Sequence, residues 1–334
     1  MLCGILISYL LMEGYVYMAT KKAASTKKAT ARKPAAAKTT VRTISAEAKK
    51  PVTKEKVVER PVVAPTKTKK KVSLPSNIIN IILAELFGTF ILTLVALTSL
   101  QDTAALYVGL ALAVLVLSIG VVSGAHVNPA VTFGLWAARK LRTILVPFYW
   151  GAQFLGAILA VIVVNSIANN DIHLDFGHFT QLNWSVLGIE LVGTAVFLFG
   201  LVAVVSRTDL SNLGRALGIG TSLTIALVVA GTLLSAVKAN AIADYQRKAS
   251  QQGASQNATA PEIPTAAYVK SATLNPAIAL AATDSTKSEL TTGSKGEAEA
   301  TYSRLTLEVV LGTLVGAAVG GNLYLLIAGR NKND

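Results

Sequence analysis

The stretch Ser123-Gly124-Ala125-His126-Val127-Asn128-Pro129-Ala130 has a counterpart far downstream, Ser271-Ala272-Thr273-Leu274-Asn275-Pro276-Ala277, and the two Asn-Pro-Ala triplets divide the apolar part of the chain into halves. Pro fixes φ and has no N–H to lose, which suits the first position of a helix, and Asn just before it is a strong N-cap. Asn128 and Asn275 are therefore each expected to start a short helix. A helix that starts within a membrane brings unsatisfied N–H groups and a positive dipole end to that depth, which is tolerated only where they line a polar cavity or are buried in protein. Two such starts meeting head to head would make a waist that repels cations. One triplet alone reads as an ordinary capped turn; its repetition in a matched context carries the argument.

The surroundings of the triplets are those of a membrane protein. The 334 residues are 52% hydrophobic, with a mean hydropathy of +0.53, too apolar for an average soluble enzyme. Six long apolar spans are predicted at about 78–100, 104–122, 144–165, 186–205, 213–237 and 305–327, each of a length that fits a transmembrane helix of roughly 20 residues. The single cysteine, Cys3, excludes an intramolecular disulfide framework and a cysteine-based metal cluster.

The net charge of +13 belongs to one segment. Residues 20–72 hold 17 Lys/Arg against three Glu, whereas residues 73–334 hold 14 basic and 14 acidic residues. This Ala/Lys/Thr/Pro tail, up to residue 76, has too few large apolar side chains to offset chain entropy and is expected to be disordered. It would be a solvated, topology-setting tail or a polybasic grip on anionic lipid headgroups, with nucleic acid not the expected partner. Residues 1–17 contain an apolar run of about ten residues, too short to span. They read either as an interfacial anchor or as a stretch upstream of a start at Met18.

The connections carrying Arg139, Lys140 and Arg142, and then Arg207 and Arg215, lie on one side, as do Arg330 and Lys332, while 101–102 and 169–183 on the other carry no Lys or Arg. The positive side is inside, so both termini are expected to be cytoplasmic and the protein a multi-pass cell-membrane protein. The repeat extends into the spans: Glu85-x-x-Gly88-Thr89 recurs as Glu190-x-x-Gly193-Thr194, 105 residues on. Three spans separate the copies, so the second half runs inverted, the arrangement that builds a polar site at the repeat interface. The second half has about 42 more residues between its Glu and its Asn-Pro-Ala than the first. They fall mostly in 238–270, and a further polar expansion covers 284–303. Both are expected to be loops around the outer mouth.

Several residues have structural readings. Glu85 and Glu190 are ionisable groups within spans; occupying matched places in the repeat, they are expected to accept backbone N–H groups of the re-entrant segments and not to move protons. Gly312, Gly316 and Gly320, and on the third span Gly151, Gly156 and Ala157, permit close helix approach. His173 and His178 share a loop with Asp171 and Asp175, which reads as solvated and not as a metal site, and the backbone carbonyl of His126 is expected to matter more than its ring. No nucleophile–base constellation or phosphate loop appears, so no enzyme, cofactor or metal is expected.

With its two Asn-Pro-Ala boxes, the inverted E-x-x-G-T repeats, the run S-G-A-H-V-N-P-A-V-T and Gln153-Phe-Leu-Gly156-Ala157, the chain resembles the aquaporin, or major intrinsic protein, family over residues 77–329, apart from the two expansions. The resemblance implies an all-α polytopic fold of six transmembrane helices and two re-entrant half-helices. Its halves would be 77–183 and 184–329, followed by a short cytoplasmic tail at 330–334. It implies a passive channel for water or small uncharged solutes such as glycerol, in a homotetramer surrounded by lipid. Asn128, Pro129, Ala130, Asn275, Pro276 and Ala277 would form its paired motifs, the two Asn donating to the solute. The carbonyls of Gly124, Ala125, His126, Ser271, Ala272, Thr273 and Leu274 would form its acceptor ladder. The family usually has Arg directly after the second box, and this chain has Ile278. Matching the spans puts Val108, Leu227 and Ala272 at the other filter positions, an apolar set that predicts a wider entrance. Two alternatives are a membrane scaffold with a degenerate pore and a lipid- or nucleic-acid-binding tail, and an ion-coupled transporter using Glu85 and Glu190.

Overall fold

The computed structural model describes residues 74–169, 174–252, 261–292 and 299–329. The basic tail up to residue 73, His173, Asp171 and the tail at 330–334 lie outside them. Within the described residues the chain is helical, with two isolated β-bridges, Asp175 to Tyr302 and Thr283 to Ser303. Six helices are long and apolar enough to cross a membrane: α1 (Ile78–Thr98), α2 (Gln101–Ser123), α4 (Val146–Ala168), α5 (Trp184–Ser206), α6 (Asn212–Gln252) and α10 (Leu307–Ala328). Two half-helices, α3 (Pro129–Ala137) and α8 (Pro276–Ala281), follow the Asn-Pro-Ala boxes. The short helices α7 (Thr265–Tyr268) and α9 (Lys287–Thr292) lie in the connections before and after α8.

The spanning helices keep large apolar side chains on their outsides, such as Val121, Ile167, Leu326 and Ile79. In water this would be an association hazard; in lipid it is the expected solvent-facing surface. Inside, association cannot rely on the hydrophobic effect and depends on close packing. Gly312, Gly316 and Gly320 supply it: a Cβ at each would lie 2.7, 2.3 and 2.1 Å from the carbonyl oxygens of Leu187, Leu191 and Ala195 on α5. Gly156 on α4 brings α1 close in the same way, 2.3 Å from the Leu86 carbonyl. Gly151 does not share this role, because a Cβ there meets nothing within 4 Å.

The half-helices are exchanged between halves. α3, from the first half, packs on α10, where Gly134 meets Leu198 of α5 and Ala317. α8, from the second half, packs on α4 and α1, with Ala277 and Ala281 against Ala157 and Val161. Each triplet is thereby held by the other repeat, and the two N-termini are brought together at the centre.

The expansion expected as a loop from residue 238 is helix as far as Gln252. Ala, Lys, Gln and Arg dominate 238–252 and are good helix formers. Asp244 pairs with Lys248 at 2.8 Å and with Arg247, the one-turn spacing that supports a helix. At 41 residues, α6 is about 60 Å long, twice the roughly 30 Å hydrocarbon thickness. It therefore projects from the face that carries the 174–183 and 261–306 connections, called here the long-loop face. Those connections are tied together by backbone bonds: Ser303 N–H to Asp175 O (2.7 Å), Leu307 N–H to Phe179 O (2.8 Å) and Ser285 N–H to Tyr268 O (2.7 Å). His178 stacks on Tyr302 with ring centroids 3.6 Å apart.

Candidate functional site

Both Asn residues cap as Asn-Pro dictates. Asn128 Oδ1 accepts the Ala130 N–H at 2.8 Å and Asn275 Oδ1 the Ala277 N–H at 2.9 Å, each from an extended backbone with Pro at the first helical position. Their amide nitrogens then reach across the centre. Asn128 Nδ2 donates to the Leu274 carbonyl at 2.9 Å, and Asn275 Nδ2 donates to the Val127 carbonyl at 3.1 Å. This reciprocal lock uses one hydrogen of each amide and leaves the second.

The backbone turns left-handed just before each Asn: φ is 44° at Val127 and 51° at Leu274, with further positive values at Gly124 and Ala125. A β-branched residue such as Val127 in this region is an outlier that only a constraining environment sustains. The two glutamates supply the constraint. Glu85 Oε1 accepts the His126 N–H at 3.0 Å and Oε2 the Val127 N–H at 2.8 Å. Glu190 Oε1 accepts the Thr273 N–H at 3.0 Å and Oε2 the Leu274 N–H at 2.9 Å. Both are fully buried. Glu85 takes a third bond from Gln153 Nε2 at 2.8 Å, an amide that also donates to Thr132 Oγ1.

With the N–H groups turned to the glutamates, the carbonyls are left over. Among the described residues no protein donor reaches the carbonyl oxygens of Gly124, Ala125, His126, Ser271, Ala272 or Thr273, whereas Leu274 O is taken by Asn128. Of these, Ala125, His126 and Thr273 are buried, where backbone acceptors are normally satisfied, while Gly124 and Ser271 are exposed and Ala272 half-buried; such free acceptors can serve a hydrogen-bonding guest.

The cavity at the crossing is lined by Leu92, Val108, Leu112, His126, Val127, Asn128, Phe197, Leu223, Thr273, Asn275 and Ile278. The space open to the centre of a water-sized sphere is about 10 Å³, room for one water. Of the apolar set expected at the filter, Val108 and Ile278 line this space. Leu227 and Ala272 are half-buried against the core, and Leu223, one turn before Leu227, takes part instead. Phe197, Leu92 and Leu112 complete the lining at this level. The His126 ring is also involved: it lines the cavity, lies 3.2 Å from Thr132 Oγ1 through Nδ1 and packs at a tilt on Tyr149 with ring centroids 4.5 Å apart.

Sequence reasoning missed Phe197, Leu92, Leu112 and Leu223, which sit on helices apolar all round and so give no face signal. It also missed Arg304, 1% exposed. Its Nη1 donates to Glu308 Oε1 at 3.0 Å and to Thr306 Oγ1 at 3.1 Å.

Comparisons with known proteins bear on the family. The family model for major intrinsic proteins matches residues 75–241. Aquaporin Z of Photorhabdus laumondii is 30% identical over 192 residues, which cover 49% of this chain and 83% of that protein. Aquaporin NIP2-1 of Zea mays is 34% identical over 125 residues, 37% of this chain, and the chain spans only 42% of that relative's length. The solved aquaglyceroporin of Plasmodium falciparum aligns at a TM-score of 0.43 and 20% identity, covering 74% of this chain and 93% of that one. Matched over half its length by the family model, and over most of a bacterial aquaporin at 30% identity, this chain belongs to the major intrinsic protein family.

Proposed function

We propose that the chain forms a passive channel for water and small uncharged solutes such as glycerol, with the path running through the crossing of α3 and α8. The observation that carries this is the set of carbonyls with no donor among the described residues, beside the two Asn amides and a cavity with room for about one water. A neutral solute that sheds its hydration shell regains bonds from the carbonyls of Gly124, Ala125, His126, Ser271, Ala272 and Thr273 and from the second amide hydrogens of Asn128 and Asn275. The apolar wall of Val108, Leu112, Leu223 and Ile278 gives nothing back to an ion, whose desolvation costs several kcal/mol. The N-terminal ends of the half-helices add a positive field against cations, the means by which aquaporin-type pores are known to exclude protons. In the proposal Val108 and Ile278, which line the cavity, form the selective part of this path, with Leu227 and Ala272 packed behind it, and Glu85 and Glu190 hold its walls.

In this reading residues 77–329 are the channel domain, both termini face the cytoplasm, and the assembly is a homotetramer in the cell membrane. Relatives that carry the name aquaporin support the solute class. Stopped-flow light scattering of proteoliposomes under parallel sucrose and glycerol gradients tests it. Shrinkage and reswelling faster than empty vesicles are expected; rates equal to empty vesicles in both gradients would overturn the proposal.

A further inference from the structure

The position where the family usually has Arg is Ile278, and the buried guanidinium nearest in sequence after it lies behind the cavity wall. The Arg304 backbone N–H donates to Ala282 O at 2.8 Å, and Ser303 Oγ lies 2.9 Å from Leu280 O, so the return segment is strapped to the end of α8. The guanidinium is shared among three carboxylates. Glu308 has the short bond; Nε is 3.6 Å from Asp284 Oδ1 and Nη2 is 3.8 Å from Glu190 Oε1. Nε, Nη2 and Asp284 Oδ1 all lack a hydrogen-bond partner, so Asp284 and Glu190 stand in competition for the same cation. Glu190 is the group that fixes the Thr273 and Leu274 backbone. Among the described residues the first half has no such cation, and Glu85 is met there by the neutral amide of Gln153.

We propose that Arg304 is a positioning residue for the second re-entrant segment, acting on the cavity through Glu190, and that the charge on Asp284 sets how much of Arg304 is available to Glu190. The inference rests on the channel reading above. Asp284 is faced by Arg304 on the return segment, Glu308 on α10, Lys270 on the approach to the second box and Lys238 on α6. The two lysines are committed elsewhere, Lys238 to the Val269 carbonyl at 2.8 Å and Lys270 to Glu289 at 3.1 Å. Burial pushes the Asp284 carboxyl up to about 6, so its charge changes within an accessible pH range. Below that range Arg304 answers to Glu190 and Glu308 alone; above it, Asp284 draws on Nε.

The test is water flux per folded channel in proteoliposomes, with the same pH on both sides, for the wild type, Asp284→Asn, Arg304→Gln and Arg304→Lys. The wild type is expected to show a step in flux centred near pH 6, absent from Asp284→Asn and from Arg304→Gln and retained in Arg304→Lys. A protonated-carboxyl infrared band that titrates over the same range in the wild type and is missing in Asp284→Asn reports the switch without flux. If Arg304→Gln does not fold, the comparison of wild type with Asp284→Asn decides alone. Wild-type flux that is present but flat with pH, or a step that survives in Asp284→Asn or Arg304→Gln, overturns the inference and leaves the channel reading standing. Absence of flux at every pH overturns both.

Discussion

Glu85→Gln removes one charge without changing shape, and its cost follows from the hydrogen-bond inventory. The carboxylate accepts three donors: His126 N–H on one oxygen, Val127 N–H and Gln153 Nε2 on the other. A glutamine keeps a single acceptor oxygen. Placed toward Val127 and Gln153, it turns its own NH₂ against the His126 N–H; placed toward His126, it opposes two donors. The better orientation therefore strands one buried N–H, at about 1–3 kcal/mol, and weakens two charge-assisted bonds to neutral ones, roughly 1 kcal/mol each. Relief of the buried charge offsets part of this, leaving a net loss of about 2–4 kcal/mol. The first re-entrant segment, which holds Val127 left-handed, is where that loss should appear. Thermal denaturation of purified protein, followed by size-exclusion chromatography in detergent, is expected to show a lowered midpoint. Water flux per folded channel should fall as well. An unchanged midpoint together with unchanged flux would refute the view that Glu85 holds the carbonyl row in place.

Other outcomes follow from the same geometry. Gly316→Leu places a Cβ 2.3 Å from the Leu191 carbonyl, forcing α5 and α10 apart, and should abolish monodisperse expression. Gly151→Ala, with open space around it, should be neutral, and equal behaviour of the two variants would contradict the packing described. Asn275→Ala loses the Ala277 cap and the bond to Val127 O, about 2–3 kcal/mol together, to be read as a lower thermal midpoint; an unchanged midpoint would argue against the cross-lock. The raised carboxyl of Asp284, about 6 against an ordinary 3.8, means that between those values the folded state holds a proton the unfolded state has released. Stability should therefore fall as pH rises through that window, by up to about 3 kcal/mol, and level off above it. Asp284→Asn should remove this slope in midpoints measured from pH 4 to 7, and a slope kept in that variant would assign it to another group.

Much of this architecture was legible because two strong signals coincide. Hydropathy places five of the six spans within a few residues of the observed helices, as with 186–205 against Trp184–Ser206. The Asn-Pro step encodes its own cap, so the two half-helices begin where expected. The fifth span was cut short at 237 because hydropathy ends there while helix propensity does not: Ala241, Arg247 and Lys248 continue a helix that has left the apolar layer. The cavity lining was harder to see. Leu92, Leu112, Phe197 and Leu223 lie on helices apolar on every face, where periodicity cannot tell a lipid-facing side chain from one facing inward. The left-handed turns at Val127 and Leu274 carry no compositional mark, since neither is Gly or Asn. Arg304 was invisible for a related reason: it follows a polar expansion in sequence, and only the fold shows that it reaches Glu190.

The central claim is that solute crosses at the level of Ile278 between the two half-helices, and one comparison addresses it most directly. Water permeability of proteoliposomes carrying the wild type is measured beside that of Ile278→Trp at equal folded protein. The tryptophan would fill a space that holds about one water. The account predicts fast osmotic shrinkage for the wild type and a rate at the level of empty vesicles for the variant. Equal, rapid shrinkage of both would place the path elsewhere and contradict the account.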